Sequence, residues 1–255
     1  MTNEKMSFTG HLTELRKRLI VSIAALIVGF SVSFNFSEDI FRFLMIPMEK
    51  DVLFKFSYPF VSFADRSGAP IRLVFLAPAE AFWMHLKISL TTGIFLSAPV
   101  ILYQVWRFIS PGLFLKEKKY AVPFMLSATV LFLLGGIFCF FIVLPFALKF
   151  LLTYKTSDFL PMISIGNYID FCLKFILAFG IVFELPVVIV FLTRMGIVSP
   201  QTLAKNRKYA VLIAFVLAAI LTPTPDAFNQ TLMAVPIIFL YEGGILVSRL
   251  LPRRK

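Results

Sequence analysis

Two carboxylates, Glu14 and Glu117, lie in strongly basic stretches of the sequence, HLTELRKR at 11–18 and KEKK at 116–119. A carboxylate pairs bidentately with a guanidinium group, and surrounding positive charge repels peptides whose cations lack the right spacing. The two residues could therefore form a receptor for a dibasic peptide. The structural alternative is that Glu14 forms an i,i+4 helix pair with Arg18, while Glu117 only reduces the charge of a basic loop.

A third carboxylate, Glu184, is the tenth residue of a 19-residue run, 175–193, that contains no other charge. Near the centre of a bilayer a carboxylate costs a few kcal/mol, which indicates a functional group. The alternative is a packing residue that hydrogen-bonds to a polar side chain on a neighbouring helix. Pro186 follows closely and predicts a kink, because proline leaves a backbone carbonyl without its helical donor.

Asp226 and Gln230 begin the last apolar run, directly after the Thr-Pro-Thr-Pro turn at 222–225. Asp226 is placed to be an N-cap, whose side chain accepts from one of the first amides of the helix. Motifs for catalysis are absent: there is no H-E-x-x-H, G-x-S-x-G, P-loop or C-x-x-C. His11 and Glu14 alone make too small a set for a metal site. We therefore expect neither an enzyme nor a cofactor.

The composition is that of a membrane protein, with 59% hydrophobic and 15% charged residues and 31 Phe. A soluble domain has roughly a quarter of its residues charged. The net charge of +11 does not favour nucleic acid as a partner, because the basic residues lie in short tracts between apolar runs. Cys139 and Cys172 lie inside apolar runs and are expected to be small buried hydrophobes.

Apolar runs long enough for a bilayer predict six membrane spans in an all-α protein. The predicted spans are about 19–37, 79–106, 120–144, 168–193, 209–221 and 228–248. The third is expected to turn at Pro145. The fifth is short, because its 13 residues give roughly 20 Å of helix against about 30 Å of hydrocarbon.

The distribution of Lys and Arg predicts that both termini are cytoplasmic. Four segments, 1–18, 107–119, 194–208 and 249–255, carry four Lys or Arg each. The connections on the opposite side, 37–79, 149–167 and 222–228, carry five, two and none. This bias is the positive-inside pattern. The long outer connection at 37–79 contains Pro47 and is expected to form an ordered cap.

Several blocks of the sequence, in order, resemble the TatC family, the multi-spanning subunit of the twin-arginine protein translocase. The blocks are HL-x-EL-R-x-RL from His11, SAPVILYQVW-x-FI-x-P from Ser97, KEKK at 116–119, FG-x-x-FE-x-P from Phe179, and LTP…PD-x-x-x-QTL-x-A-x-P from Leu221. Several such blocks in the correct order are far more specific than any single motif.

The resemblance implies a cup-shaped scaffold of six helices that binds twin-arginine signal peptides of folded proteins at its cytoplasmic surface. By position, Glu14 and Glu117 would receive the two arginines. Arg16, Arg18 and Phe108 would lie near that surface. The protein is expected in the bacterial cytoplasmic (inner) membrane, where the proton gradient would drive export.

The family also implies partners, single-span proteins of the TatA and TatB type, in a possible multimer of heteromers. Glu184 would be the intramembrane polar contact for a partner helix. The short C-terminal spans would form the docking edge, with Ala219, Ile220, Leu221 and Gln230.

A function of another class stays open on the residues alone. In a secondary transporter, two halves of three spans would form an inverted repeat, with Glu184 as the ion or proton site at the midplane. Against this, the halves share no recognisable pattern. Co-purified single-span partners would favour the translocase, and proton-coupled solute uptake would favour the transporter.

Overall fold

The structure, a computed structural model, describes residues 8–54, 61–65, 73–109, 121–154, 162–222, 224 and 226–250. Nearly all of these residues are helical. The helices are α1 (Phe8–Asn35), α2 (Ser37–Glu49), α3 (Glu80–Ile109), α4 (Ala121–Phe138), α5 (Leu144–Thr153), α6 (Ile165–Val182), α7 (Leu185–Arg194), α8 (Pro200–Lys205), α9 (Arg207–Leu221) and α10 (Ala227–Leu250), with a π-helical turn, Cys139–Val143, between α4 and α5. The strands are β1 (Lys50–Phe54), β2 (Val61–Asp65), β3 (Leu73–Val74) and β4 (Ile163–Ser164).

Five helical stretches in the described part of the chain are long and apolar enough to cross a membrane. They are Gly10–Asn35, Glu80–Phe108, Val122–Thr153, Ile165–Arg194 and Ala227–Leu250. The predicted fifth span corresponds to α9, which has 15 residues. Its roughly 22 Å of length falls short of about 30 Å of hydrocarbon. Six spans therefore stay a prediction that depends on α9.

The helices α1 and α3 share the most extensive contact among the described elements. Their backbones touch where Gly29 faces Gly93. A Cβ added at Gly29 would lie 2.7 Å from the Gly93 carbonyl oxygen, and one added at Gly93 would lie 2.8 Å from the Phe30 amide nitrogen. Only glycine allows this approach, and small residues are how helices pack closely where lipid surrounds them.

The helix α6 forms the centre of the main core and packs against α3 and α4. Its Phe175 and Phe179 side chains are fully buried. A Cβ added at Gly135 of α4 would lie 2.4 Å from the Phe179 carbonyl oxygen, so these backbones are also in direct contact. Cys139 and Cys172 are fully buried free thiols, which confirms the expectation for both cysteines.

The third apolar stretch continues through Pro145, so the prediction of a turn there is wrong. Pro145 is the second residue of α5, where the missing amide donor costs no helical hydrogen bond. The π-helical turn Cys139–Val143 directly before it widens the helix. Such turns shift the hydrogen-bond ladder, and the helical path can then extend to Thr153.

The long connection between α1 and α3 contains ordered structure, as expected for a cap. It holds α2, the antiparallel hairpin of β1 and β2, and β3. The Tyr168 hydroxyl on α6 donates to the Leu44 carbonyl oxygen on α2 at 2.6 Å, and Pro47 of α2 is fully buried. Strand β3 pairs in parallel with β4. This pairing joins the connections 37–79 and 149–167, which were both predicted to lie on the outer side of the membrane.

The carboxylate of Glu80 ties the start of α3 to the start of α6. It accepts hydrogen bonds from the Leu76 amide at 2.7 Å and from the Gly166 amide at 2.8 Å. The Ser164 hydroxyl also donates to it. Ser164 is the N-cap of α6 and accepts from the Asn167 amide. One acid therefore fixes the relative position of two spans at this end of the bundle.

Candidate functional site

The beginning of α1 and the end of α3 meet around Arg18. Its guanidinium donates to Glu14 Oε1 at 2.9 Å and to Gln104 Oε1 at 3.3 Å. The side chains of Arg18 and Glu14 are only 14% and 18% exposed, so this ion pair is largely shielded from solvent. The i,i+4 pair predicted for Glu14 and Arg18 is confirmed, and Gln104 extends it to the second helix.

An aromatic contact lies beside this ion pair. The rings of His11 and Phe108 stack with their centroids 4.5 Å apart. Phe108 is half-buried, whereas Arg16 is exposed. Four of the five predicted peptide-binding residues therefore lie at one end of the α1–α3 pair. The fifth, Glu117, lies outside the described residues.

This arrangement can hold a cation that approaches from outside. A carboxylate has about four acceptor positions, so Glu14 can keep its bond to Arg18 and accept a second guanidinium. Because Arg18 is itself bound to Gln104, the position of the Glu14 carboxylate is set before any ligand arrives. Among the described residues, no group of three His, Cys, Asp or Glu is arranged to bind a metal ion.

Glu184 lies in a break between two helices. The helix α6 ends at Val182, α7 begins at Leu185, and Phe183 and Glu184 form the turn between them. The predicted kink is confirmed. Gly244 of α10 packs against the start of α7, directly after the break. A Cβ added at Gly244 would lie 3.1 Å from Pro186 Cα.

The Glu184 carboxyl group has an unused hydrogen-bonding position. Its Oε1 atom is buried and has no hydrogen-bond partner among the described residues. A buried oxygen without a partner costs free energy. Because the chain itself encloses this atom, the bond is open only to a group inside the bundle, and contact of Glu184 with a partner helix stays a prediction.

The helix α9 has one face directed into the chain and one directed away from it. Ala214 and Ala218 are buried, whereas Ala219 is exposed and Ile220 is 72% exposed. Leu221 is half-buried against the core. Apolar side chains that are exposed along a helix of a membrane protein face lipid or another helix.

Gln230 bonds within the chain. Its side-chain amide donates to the Phe215 carbonyl oxygen of α9 at 3.1 Å and thereby links α10 to α9. At the other end of the same pair, Arg207 donates to both oxygens of Glu242, at 2.6 and 2.8 Å. Gln230 thus holds the short helix against α10, and its role in partner binding stays a prediction.

The start of α10 is capped as the sequence predicts. Asp226 Oδ1 accepts from the Asn229 amide at 2.7 Å, and Asp226 Oδ2 accepts from the Asn229 side chain at 2.8 Å. Asn229 is fully buried and also donates to Thr224 at 3.0 Å. Partial burial alone would raise the pKa of Asp226, but the hydrogen bonds from Asn229 and Thr224 outweigh it and lower the pKa below its ordinary value.

Sequence reasoning missed three polar residues that the structure brings into these contacts, Gln104, Glu80 and Asn229. Gln104 and Asn229 lie in blocks that carried the family resemblance, and their polarity inside long apolar runs was the available signal. Their partners, however, are set by helix packing.

The apolar helices, the break at Glu184 and the polar cluster at one end of the α1–α3 pair define a multi-pass helical membrane protein. The model of the family of Sec-independent protein translocase proteins (TatC) matches residues 10–236. The chain belongs to the TatC family.

Individual relatives agree with this assignment over most of their length. The Sec-independent protein translocase protein TatC of Aquifex aeolicus (strain VF5) is 43% identical over 252 residues, which cover 98% of this chain and 98% of the relative. The corresponding protein of Koribacter versatilis (strain Ellin345) is 43% identical over 243 residues, covering 95% and 85%. A crystal structure of a twin-arginine translocase receptor, TatC in DDM, superposes with a TM-score of 0.78 at 42% identity and covers 93% of this chain and 99% of that one.

Membership of this family makes the chain a subunit of a protein translocase, and it is a transport component and not an enzyme. The secondary-transporter alternative gains no support from the comparisons.

Proposed function

We propose that this chain is the receptor subunit of a twin-arginine translocase and binds twin-arginine signal peptides where α1 begins and α3 ends. The observation that carries the proposal is the Glu14 carboxylate, held by Arg18 and Gln104 and largely shielded from solvent. A solved relative is described as a twin-arginine translocase receptor, which supports the same role here.

Each of the two arginines of the peptide binds a different acid. One guanidinium binds Glu14, and Glu117 receives the second. Arg16 and Arg18 keep the surface positive and repel any cationic peptide. Only a peptide with two guanidinium groups gains enough from binding both acids to offset this repulsion. The half-buried ring of Phe108, stacked on His11, offers an apolar surface for the part of the peptide next to the arginines.

We infer that this surface lies in the cytoplasm. The Lys and Arg bias of the connecting segments supports cytoplasmic termini, and the ends of α1 and α3 that carry the site belong to the basic segments. With bacterial relatives and membrane-spanning helices, we place the protein in the inner membrane. The proton gradient is the proposed driving force, as the resemblance to the family implies.

Single-span partners of the TatA and TatB type dock at Glu184 and along α9. The Glu184 carboxyl group, at the break between α6 and α7, is the polar contact for a partner helix. The exposed face of α9 around Ala219 and Ile220 supplies the apolar part of the contact, and the short length of α9 thins the bilayer at this edge.

Peptide binding to the purified protein tests the proposal. Glu14→Ala and Glu117→Ala should each weaken binding of a twin-arginine peptide by roughly 1–3 kcal/mol, the range for charge-assisted hydrogen bonds. The loss should be much smaller for a peptide with two lysines. Glu38→Ala is the matched control, because it removes one exposed acid from α2 and changes the net charge equally. Equal losses for both peptides would mean that these acids stabilise the fold without reading the motif.

A further inference from the structure

An apolar groove runs along the surface of the α1–α3 pair. Its volume of about 510 Å³ lies within the range of roughly 300–1,000 Å³ typical of ligand sites. The groove is lined by Val21, Ala24, Ala25, Val28, Gly29 and Val32 of α1 and by Leu96, Ser97 and Val100 of α3. The hydroxyl of Ser97 donates to the Gly93 carbonyl oxygen at 2.7 Å, so the lining presents no unused donor.

The groove faces away from the rest of the chain. Of the five candidate spans, the one formed by α1 is the least enclosed, because only 11% of its apolar 18-residue segment is buried. The groove walls are open, because Val28 is 64% exposed and Leu96 is 55% exposed. In a membrane this surface meets hydrocarbon, and its concave apolar shape suits a flexible chain.

Two cations lie at one end of the groove. Lys17 precedes Val21 by four residues and Arg107 follows Val100 by seven, so each continues the groove-lining face of its own helix. Both are exposed. The hydrogen bond between Arg18 and Gln104 shows that these ends of the two helices are adjacent.

We propose that this groove binds one anionic phospholipid, with an acyl chain along the α1–α3 crossing and the phosphate between Lys17 and Arg107. The charge complementarity selects the ligand, because cations beside an apolar surface favour an anionic headgroup over a zwitterionic one. The lipid would lie beside the proposed peptide-binding site around Glu14 and Arg18. The site does not depend on the peptide-binding proposal, since neither Glu14 nor Glu117 takes part.

Native mass spectrometry of the full chain with added phosphatidylglycerol or phosphatidylcholine tests the headgroup. Wild type should retain phosphatidylglycerol about tenfold better, and Lys17→Gln/Arg107→Gln should remove that preference. Lys149→Gln/Lys174→Gln is the matched control, since it removes two exposed lysines elsewhere and lowers the net charge equally. Equal retention of both lipids by wild type, or an equal loss in the control, would overturn the proposal.

A second experiment identifies the occupant of the groove without altering the cations. A photoreactive phenylalanine analogue at Val28 should give an adduct of phospholipid mass in native membranes. Ala24→Phe should reduce that adduct several-fold by filling the groove, whereas Val130→Phe, at an exposed position on α4, should leave it unchanged. An adduct with a protein, such as a partner helix, would contradict the lipid assignment.

Discussion

Arg18 on α1 and Gln104 on α3 are 86 residues apart in the chain and are joined by a hydrogen bond of 3.3 Å. This bond makes a local helix pair, Glu14 with Arg18, into a connection between two spans. Arg18 Nε is buried and has no partner in the described part of the chain. The hydrogen bonds of this guanidinium therefore go to Glu14 and Gln104. The proposed peptide-binding site and the packing of α1 against α3 therefore share Arg18.

The first prediction concerns Gln104. Gln104→Leu removes one acceptor from a largely buried guanidinium and should lower the free energy of unfolding by roughly 1–3 kcal/mol. Gln104→Glu keeps an acceptor at this position and should be at least as stable as wild type. Thermal unfolding in detergent compares the three proteins. If the leucine variant unfolds with wild type, the bond between the helices contributes nothing.

The second prediction separates two roles of Glu184. If a partner's polar group binds the Glu184 carboxyl group, Glu184→Gln should largely preserve assembly, because the amide still forms hydrogen bonds. Glu184→Ala should weaken assembly by roughly 1–2 kcal/mol, as for interhelical hydrogen bonds in membranes. Co-purification of single-span partners and export of a folded substrate are measured for both variants. A glutamine variant that assembles normally yet exports nothing would favour a titrating role over docking.

The third prediction concerns the length of α9. Insertion of four apolar residues after Leu217 adds one helical turn, about 6 Å, and brings α9 close to a full span. The variant should insert into the membrane but lose export, because the thinned edge is gone. Protease accessibility of the termini checks insertion, and substrate export checks function. Normal export by the longer helix would refute a role for the mismatch.

The fourth prediction concerns the cap at Asp226. Asp226→Ala should destabilise the protein by about 1 kcal/mol, the typical cost of losing an N-cap, and Asp226→Asn should recover most of it. Because folding lowers the pKa of this carboxyl group, its ionised form stabilises the folded state above its ordinary value of 3.8. That contribution disappears as the pH falls through the lowered pKa.

The measurement for the cap is thermal unfolding of wild type and Asp226→Ala at several pH values. The difference between them should be constant from neutral pH down to about pH 5 and shrink below 3.8. A difference that grows on acidification would show that the protonated acid is the stabilising form.

Much of this protein could be predicted from local sequence patterns. The apolar runs located the spans, Pro186 predicted the break beside Glu184, and the Asp226 cap and the Glu14–Arg18 pair follow from spacing within one helix. Such features depend on residues within four positions of one another, and the physics that sets them is visible in a single stretch of chain.

The tertiary structure decided which faces of the helices meet. Gln104 meets Arg18, Glu80 meets Gly166, and Gln230 bonds to α9 because particular helices cross at particular points, which no local pattern specifies. The same holds for Pro145, where the π-helical turn before it let the helix continue. Composition and spacing thus determined that this chain crosses a membrane and carries acids in basic surroundings. Packing, including the backbone contact of Gly29 with Gly93, decided which polar groups become partners and where a groove is left open.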